Sequence, residues 1–388
     1  MISVEEALAR CLALVAPLGA ETVALRQAVG RMMAAPVVAT RDQPPFAASA
    51  MDGYAVQGDP APGDSFDVVG QSQAGRAFAE TLMPGQALRI FTGAPVPAGA
   101  DRVILQEDVT VDAARITVKP GADAARHIRP AGQDFKVGDA IAPHRIGPHD
   151  LALLASMNLP LVPVIRRPIV AIMATGDELV MPGEVPGPDQ IICSNALAIA
   201  ALVEAEGGLA RILPIARDTE ADLRAVFAMA AGADLIVTIG GASVGEHDLV
   251  GPVAESLGLE RAFWKIAMRP GKPLMAGRLS GMPMLGLPGN PVSSIVCAHL
   301  FVLPMVRAML KRPDVAPQPR RATLGADVPA NGPRTHYMRA RLAEVVITPF
   351  DRQDSALIRI LTEANALLIR PVGDGAQSAG AEVLYLAL

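Results

Sequence analysis

The sequence predicts a multidomain α/β protein. At its centre is a three-layer α/β domain with a mostly parallel sheet, joined to a β-rich insertion domain, a mixed helical N-terminal domain and a small C-terminal β domain. Three observations carry this. The chain has 388 residues, more than one ordinary core organises. The continuous apolar runs 169–174, 235–239 and 283–287 alternate with helical stretches at 195–206, 220–231 and 249–257. Short strands without polar alternation are buried on both faces, as parallel strands are between two helical layers. On either side of this block the texture changes to short β-type runs broken by Gly and Pro.

Taken in order, residues 3–15 read as an amphipathic helix. Ser3 and Glu6 make an S-x-x-E capping-box pattern, and Ala7, Leu8, Cys11, Leu12 and Val15 recur at helical spacing. A second short helix is expected at 25–32. Gln43-Pro-Pro-Phe cannot lie inside a helix. After it, runs at 65–69, 87–91, 102–105 and 115–118 mark the β-rich insertion, 47–131. A helix at 149–157 lies in the mixed segment 132–165, which joins 1–46 as one discontinuous domain. The α/β domain spans 166–312. Its apolar stretch 295–310 contains His299, Pro304 and Arg307, so it reads as a buried helix and not a membrane span. A Pro- and Arg-rich linker at 313–320 leads into the C-terminal domain, 318–388, where short strands only are expected.

Composition narrows the function classes. The formal charge of −5 argues against a general nucleic-acid binder, while leaving room for a local basic pocket. Cys11, Cys193 and Cys297 are far apart and form no C-x-x-C pair, so buried free thiols are expected, not a zinc site or disulfides. The N-terminus Met-Ile-Ser-Val-Glu-Glu lacks the regions of a signal peptide, so a cytoplasmic location without membrane association is expected.

Three strand ends lead into unusual loops: Thr175-Gly-Asp-Glu-Leu179, Gly240-Gly-Ala-Ser-Val-Gly-Glu-His-Asp248 and Leu287-Pro-Gly-Asn-Pro-Val-Ser-Ser294. Ligands of open parallel sheets bind outside the carboxyl ends of the strands, so these loops should share a crevice. Gly240, Gly241 and Gly245 let backbone amides approach an anion, and Ser243 adds a hydroxyl. The competing reading is a tight turn whose glycines serve geometry alone. A P-loop and a G-x-G-x-x-G fingerprint are both missing. Residues 241–245 also spell G-x-S-x-G, the nucleophile elbow of serine hydrolases. His247 is too close to serve as the base, His299 sits in an apolar helix, and His336 alone remains. The cations Lys265, Arg269 and Lys272 flank a Pro-Gly turn. Such a run is usually a solvated face, but here it leads through one short strand pair into the third loop. Asp177, Glu178, Asp218, Asp248, Asp52 and Asp134 are the loop carboxylates that could hold Mg2+ beside phosphates; Asp177 alone reads as a turn former.

Together these segments resemble the molybdopterin molybdenumtransferase family, MoeA in bacteria and the E-domain of gephyrin in animals. The motifs are P-P-F-x-x-S-A-M-D-G-Y-A from Pro44, R-I-F-T-G-A-P-V-P-x-G-A-D from Arg89, T-G-D-E-L from Thr175, G-G-x-S-V-G-x-x-D from Gly240, P-G-K-P from Pro270 and L-P-G-N-P-V-S from Leu287. The resemblance implies a homodimer that takes adenylylated molybdopterin from a molybdopterin adenylyltransferase, joins molybdate to its dithiolene, releases AMP with Mg2+, and passes the product to downstream delivery proteins. It implies catalytic roles for Asp52, Asp134, Asp218, Asp248, Lys265 and Arg269. It implies substrate binding by Thr92, Gly240, Gly241, Ser243, Gly245, Lys272, Pro288, Gly289 and Arg339, and metal binding by Glu178 and Asp248. Arg269 stands where many relatives have Lys; it keeps the charge but presents a planar fork. A non-catalytic pterin-binding scaffold is the second function class, disfavoured by the full set of carboxylates. A serine hydrolase using Ser243 is the third.

Overall fold

The computed structural model describes residues 1–241 and 249–388. They form two compact units, residues 1–21 with 165–388, and residues 22–164.

The first unit holds the α/β sheet. Its strand order is Leu209–Ile212, Ile169–Ala174, Leu235–Ile239, Met282–Leu287, Met275–Leu279, Leu259–Trp264. The first four are parallel; Met275–Leu279 pairs antiparallel with Met282–Leu287, and Leu259–Trp264 pairs antiparallel with Met275–Leu279. All of Leu235–Ile239 is buried, as a two-sided covering requires. Helices Glu220–Met229 and Val250–Ser256 place Leu223, Phe227 and Val253 on Ala171, Met173 and Ile236. Alternation along the strand leaves the fully buried Val170 and Ile172 for the other face, where Asn195–Ala205 packs. The edge strand is Leu209–Ile212. The parallel ladder ends at Ile212, just before Pro214, which has no N–H to donate.

The apolar helix runs from Pro291 to Met309. Pro304 cannot donate to the carbonyl one turn back, and ahead of it the ladder widens into a π-turn at Ala298–Val302, with the Leu303 N–H reaching the Ala298 carbonyl. This helix is long and apolar enough to cross a membrane, but 78% of that window is buried within the fold, as in a core helix.

The same unit carries a C-terminal sheet of Arg320–Leu324, Thr335–Ala343, Val346–Pro349, Ala366–Arg370 and Glu382–Ala387. Two features depart from expectation. Residues Ile358–Glu363 form a short helix, so this segment is not strands only. And Met268–Arg269, from the basic stretch of the α/β region, joins the sheet in parallel, Met268 opposite Thr335 and Arg269 opposite His336. The N-terminal helix is Val4–Leu12; the Ser3 hydroxyl accepts the Glu6 N–H at 3.1 Å, and Val4, Ala7 and Cys11 face inward. All three cysteines are free and buried.

The second unit is organised by a six-stranded sheet ordered Arg102–Leu105, Gly53–Val56, Gln86–Ile90, Ser65–Ser72, Arg115–Val118, Val109–Asp112. Separate apolar clusters form around Tyr54, Phe66 and Ile116, and around Leu82, Leu88 and Ile90. Helix Pro148–Ser156 begins with Pro at its first position, and the Asp150 carboxylate accepts the Gly147 N–H at 2.6 Å. The helix expected at 25–32 is only a 3-10 turn, Leu25–Gln27. Gly30 takes φ +78° and gives its N–H to the Ile146 carbonyl, which draws the chain off a helical path.

Candidate functional site

Three chain segments leave the carboxyl ends of adjacent parallel strands, and the first residues of two of them are bonded to the neighbouring strand ends. The Thr175 N–H donates to the Ile239 carbonyl (3.0 Å) and the Gly240 N–H to the Leu287 carbonyl (3.1 Å). Gly240 has φ +95°, and a Cβ there would lie 2.8 Å from the Thr175 hydroxyl, so no side chain fits. The Asn195 amide ties in the third loop by donating to the Gly289 carbonyl at 2.8 Å. The result is a crevice of about 660 Å3 at the strand ends. Glu178, Asp218, Gly240, Gly241, Pro288 and Gly289, all expected from sequence, line it together.

Beside it lies a second cavity of about 340 Å3, sharing Pro273 and Asn290 with the first. Arg269, Lys272 and Arg334 line it, with Gln353, Asp354 and Ser355 completing the wall. Arg269 and Arg334 meet because the Met268–Arg269 strand pairs with the start of Thr335–Ala343. The turn between Arg269 and Lys272 is tight. Gly271 takes φ +108°, and a Cβ there would sit 2.6 Å from the Cys297 sulfur. Three cations against one carboxylate, Asp354, give this small cavity a lining of net positive charge. Arg334 and Ser355 escaped the sequence reading, since nothing local links 334 to 269.

Arg339 also lies in this neighbourhood, but it does not line the cavity. It is 1% exposed, and its guanidinium donates to the Leu357 carbonyl at 3.1 Å and the Arg352 carbonyl at 3.4 Å. The Gln353 amide holds the Arg339 backbone from both sides, at 3.0 Å each. Arg339 therefore braces the cavity wall from behind, with no surface for substrate. Its guanidinium is depressed below its ordinary pKa by burial. Lys265 stands apart from both linings; its ammonium sits 4.0 Å over the Trp264 ring.

In the second unit the Asp52 carboxylate accepts both the N–H and the hydroxyl of Thr92, each at 2.7 Å. The backbone N–H, then the hydroxyl, then Arg89 hold this carboxyl below its ordinary range, so it is ionised. Thr92 thus orients Asp52. Arg89, which sequence reasoning missed, stacks over Tyr54 and Phe91 at 5.0 and 4.8 Å and donates to the Gly53 carbonyl. Asp134 lies with Arg129, Phe46 and Gly93 around a separate cavity of about 620 Å3 in the same unit.

Ser243, Gly245 and Asp248 lie outside the described residues. Of the histidines weighed as a serine hydrolase's base, His336 is buried, His299 is half-buried and His247 lies outside the described residues. Burial, then Arg307, pushes His299 down to about 4, while burial and the arginines Arg269, Arg339, Arg370 and Arg334 do the same for His336. Among the described residues no group of three or more His, Cys, Asp or Glu gathers as metal ligands. Glu178 and Asp218 do share the crevice. Mg2+ is held by one or two carboxylates and keeps several waters, so this oxygen donor pair fits it.

Comparison with known proteins agrees with this architecture along the chain. Residues 2–158 match the MoeA N-terminal region (domain I and II), 171–308 a probable molybdopterin binding domain, and 321–388 the MoeA C-terminal region (domain IV). A molybdopterin molybdenumtransferase of a Nostoc species is 35% identical over 95% of this chain and 88% of its own length. Molybdopterin molybdenumtransferase 2 of Mycobacterium tuberculosis is 36% identical over 90% of each chain. The crystal structure of a molybdopterin biosynthesis MoeA protein from Pyrococcus horikoshii superposes with a TM-score of 0.86 and 29% identity, covering 100% of this chain and 99% of that one. The chain belongs to the molybdopterin molybdenumtransferase (MoeA) family.

Proposed function

We propose that this chain inserts molybdate into adenylylated molybdopterin and releases AMP, a late step of molybdenum cofactor biosynthesis. The observation that carries the proposal is the adjacency, within one unit, of a carboxylate-bearing crevice and a cation-lined cavity that share a wall. Molybdate is a compact dianion. Arg269, Lys272 and Arg334 provide charge and donors for it, the two arginines as planar forks. The pterin's pyrophosphate is proposed to occupy the larger crevice, where Gly240, Gly241 and Gly289 line the wall without side chains and leave room for close approach. Glu178 and Asp218 supply hard oxygen ligands for Mg2+, with Asp248 as a further ligand; the ion, when bound, offsets charge on the pyrophosphate. Asp52, held ionised by Thr92, is proposed to act on the same substrate.

We further propose a homodimer in which the Asp52 group of one subunit completes the crevice of the other. In support, Asp52 and Thr92 belong to the β-rich insertion and Glu178 and Lys272 to the α/β region, separated in sequence by 132–165. A two-fold axis would join such groups twice. The division into domains at 1–46 with 132–165, 47–131, 166–312 and 318–388, a cytoplasmic location, and exchange with an adenylyltransferase and cofactor-delivery proteins belong to the same proposal. The test is AMP release from adenylylated molybdopterin, with and without molybdate. Release that ignores molybdate, or no release, would refute it. Labelling of Ser243 by a fluorophosphonate would favour the hydrolase reading instead.

A further inference from the structure

We propose that Arg217 and Asp177 are positioning residues that set the Glu178 carboxylate against the Asp218 carboxylate in the crevice, and thereby control its affinity for a divalent cation. This rests on the reading of the crevice given above.

The argument starts from the loop after Ile169–Ala174. Gly176 is buried with φ +146°, and a Cβ there would lie 2.3 Å from a Glu178 carboxylate oxygen. The Glu178 carboxylate is therefore folded against its own loop, and its place follows the path of the 176–179 backbone. That path turns three carbonyls toward one atom: Arg217 Nη1 lies 3.4 Å from the Gly176 oxygen and 3.1 Å from the oxygens of Asp177 and Leu179. Converging carbonyl dipoles repel one another unless a cation sits at the focus.

Arg217 comes from the neighbouring loop, after Leu209–Ile212. That loop is gripped in return. The Asp218 N–H donates to Asp177 Oδ1 at 3.1 Å, and the Gly176 N–H to the Ala216 carbonyl at 3.1 Å. The Arg217 N–H is anchored on Asp222 at 2.5 Å. Each loop thus holds the other's backbone with a side chain. The gripping residues, Asp177 and Arg217, are the immediate chain neighbours of the crevice carboxylates, Glu178 and Asp218. Both crevice carboxylates line the cavity, while Asp177 and Arg217 are exposed and are not among its lining residues.

Charge and position predict opposite signs. A guanidinium near a cation site repels the cation, so on charge alone Arg217→Ala should tighten divalent binding. If Arg217 acts by placing Glu178, its loss should weaken binding. Outer-shell partners of metal ligands are typically worth about 10–100-fold in affinity, so a loss of about tenfold is expected. Arg217→Lys should recover most of it, because an ammonium offers three N–H donors from one point and a single nitrogen does the gripping here. Asp177→Asn keeps an acceptor for the Asp218 N–H and should bind near normally, whereas Asp177→Ala should not.

The experiment is an electron paramagnetic resonance titration of the full chain with Mn2+ alone, without pterin, alongside thermal unfolding. Weaker binding by Arg217→Ala, restored by Arg217→Lys, is the expected result. Equal or tighter binding by Arg217→Ala overturns the proposal, as does a wild-type chain that binds no Mn2+. If Arg217→Ala fails to fold, the contrast between Asp177→Ala and Asp177→Asn decides; equal affinities overturn it. AMP release is assayed separately. A chain that binds Mn2+ but never releases AMP refutes the functional reading, and the positioning role is then judged on the Mn2+ titration alone.

Discussion

Arg334→Ala tests the oxyanion cavity most directly. The side chain lines the cavity with Arg269 and Lys272, but its backbone is held independently. The Asn331 amide donates to the Arg334 carbonyl at 2.9 Å, and the Thr335 N–H donates to the Ala267 carbonyl at 3.0 Å. Truncation should therefore spare the turn and the strand that follows. A hydrogen bond from a charged donor contributes about 1.5–3 kcal/mol. Arg334 is only half-buried, so solvent screens part of this and the lower end applies. About 1.5 kcal/mol corresponds to roughly a tenfold weaker molybdate affinity. Arg334→Lys retains the charge and loses the fork, so it should fall between the two. Calorimetric titration of molybdate, at low and high salt, reads this out, with thermal unfolding as the control for folding. Molybdate binding at wild-type strength by a folded Arg334→Ala chain would show that the cavity is not the oxyanion site.

Other outcomes follow from the same geometry. Glu178→Gln keeps the shape and removes the charge that a hard cation needs, so the Mg2+ midpoint for AMP release should rise while pterin binding holds; an unmoved midpoint would remove Glu178 from the metal site. Asp52→Ala and Asp248→Ala should each abolish molybdate-dependent AMP release, and near-normal turnover in either would exclude that residue. Mixed after dissociation and reassociation, these two inactive chains should recover roughly a quarter of wild-type activity if sites are shared across a two-fold axis. Persistent inactivity, with heterodimer confirmed by mass, would sink the shared site. His299 and His336 have folded pKa values near 4 against an ordinary 6.5. Stability from keeping them neutral is complete above 6.5 and is lost as pH falls toward 4, at about 1.4 kcal/mol per unit for each. Urea midpoints for His299→Leu should therefore decline less steeply than wild type between those limits, and parallel slopes would refute the assignment.

Much of the α/β core was legible from the apolar runs, because a strand buried on both faces must be apolar at consecutive positions. Ile169–Ala174 and Leu235–Ile239 appear where those runs lie. The failures have local causes. The helix expected at 25–32 is cut short because Gly30 turns away to bond Ile146. Helix Ile358–Glu363 is a short, weakly patterned segment, and periodicity has little to measure over so few residues.

The amino-acid sequence by itself determined the layers, the three loops at the strand ends and the residue types they display, because strand burial, glycine turns and loop carboxylates are written in short stretches of chain. Only the tertiary structure decided which distant groups became neighbours. Arg334 shares a cavity with Arg269 because a two-residue strand, Met268–Arg269, pairs with Thr335–Ala343. Arg339, whose position matched a functional one, lies buried behind the wall because strand alternation turns it toward the Leu357 and Arg352 carbonyls. Asp177, read as a turn former, holds the Asp218 N–H across to another loop. Such pairings depend on register and packing between segments remote in the chain, and a side chain's charge carries no record of which remote partner it will meet.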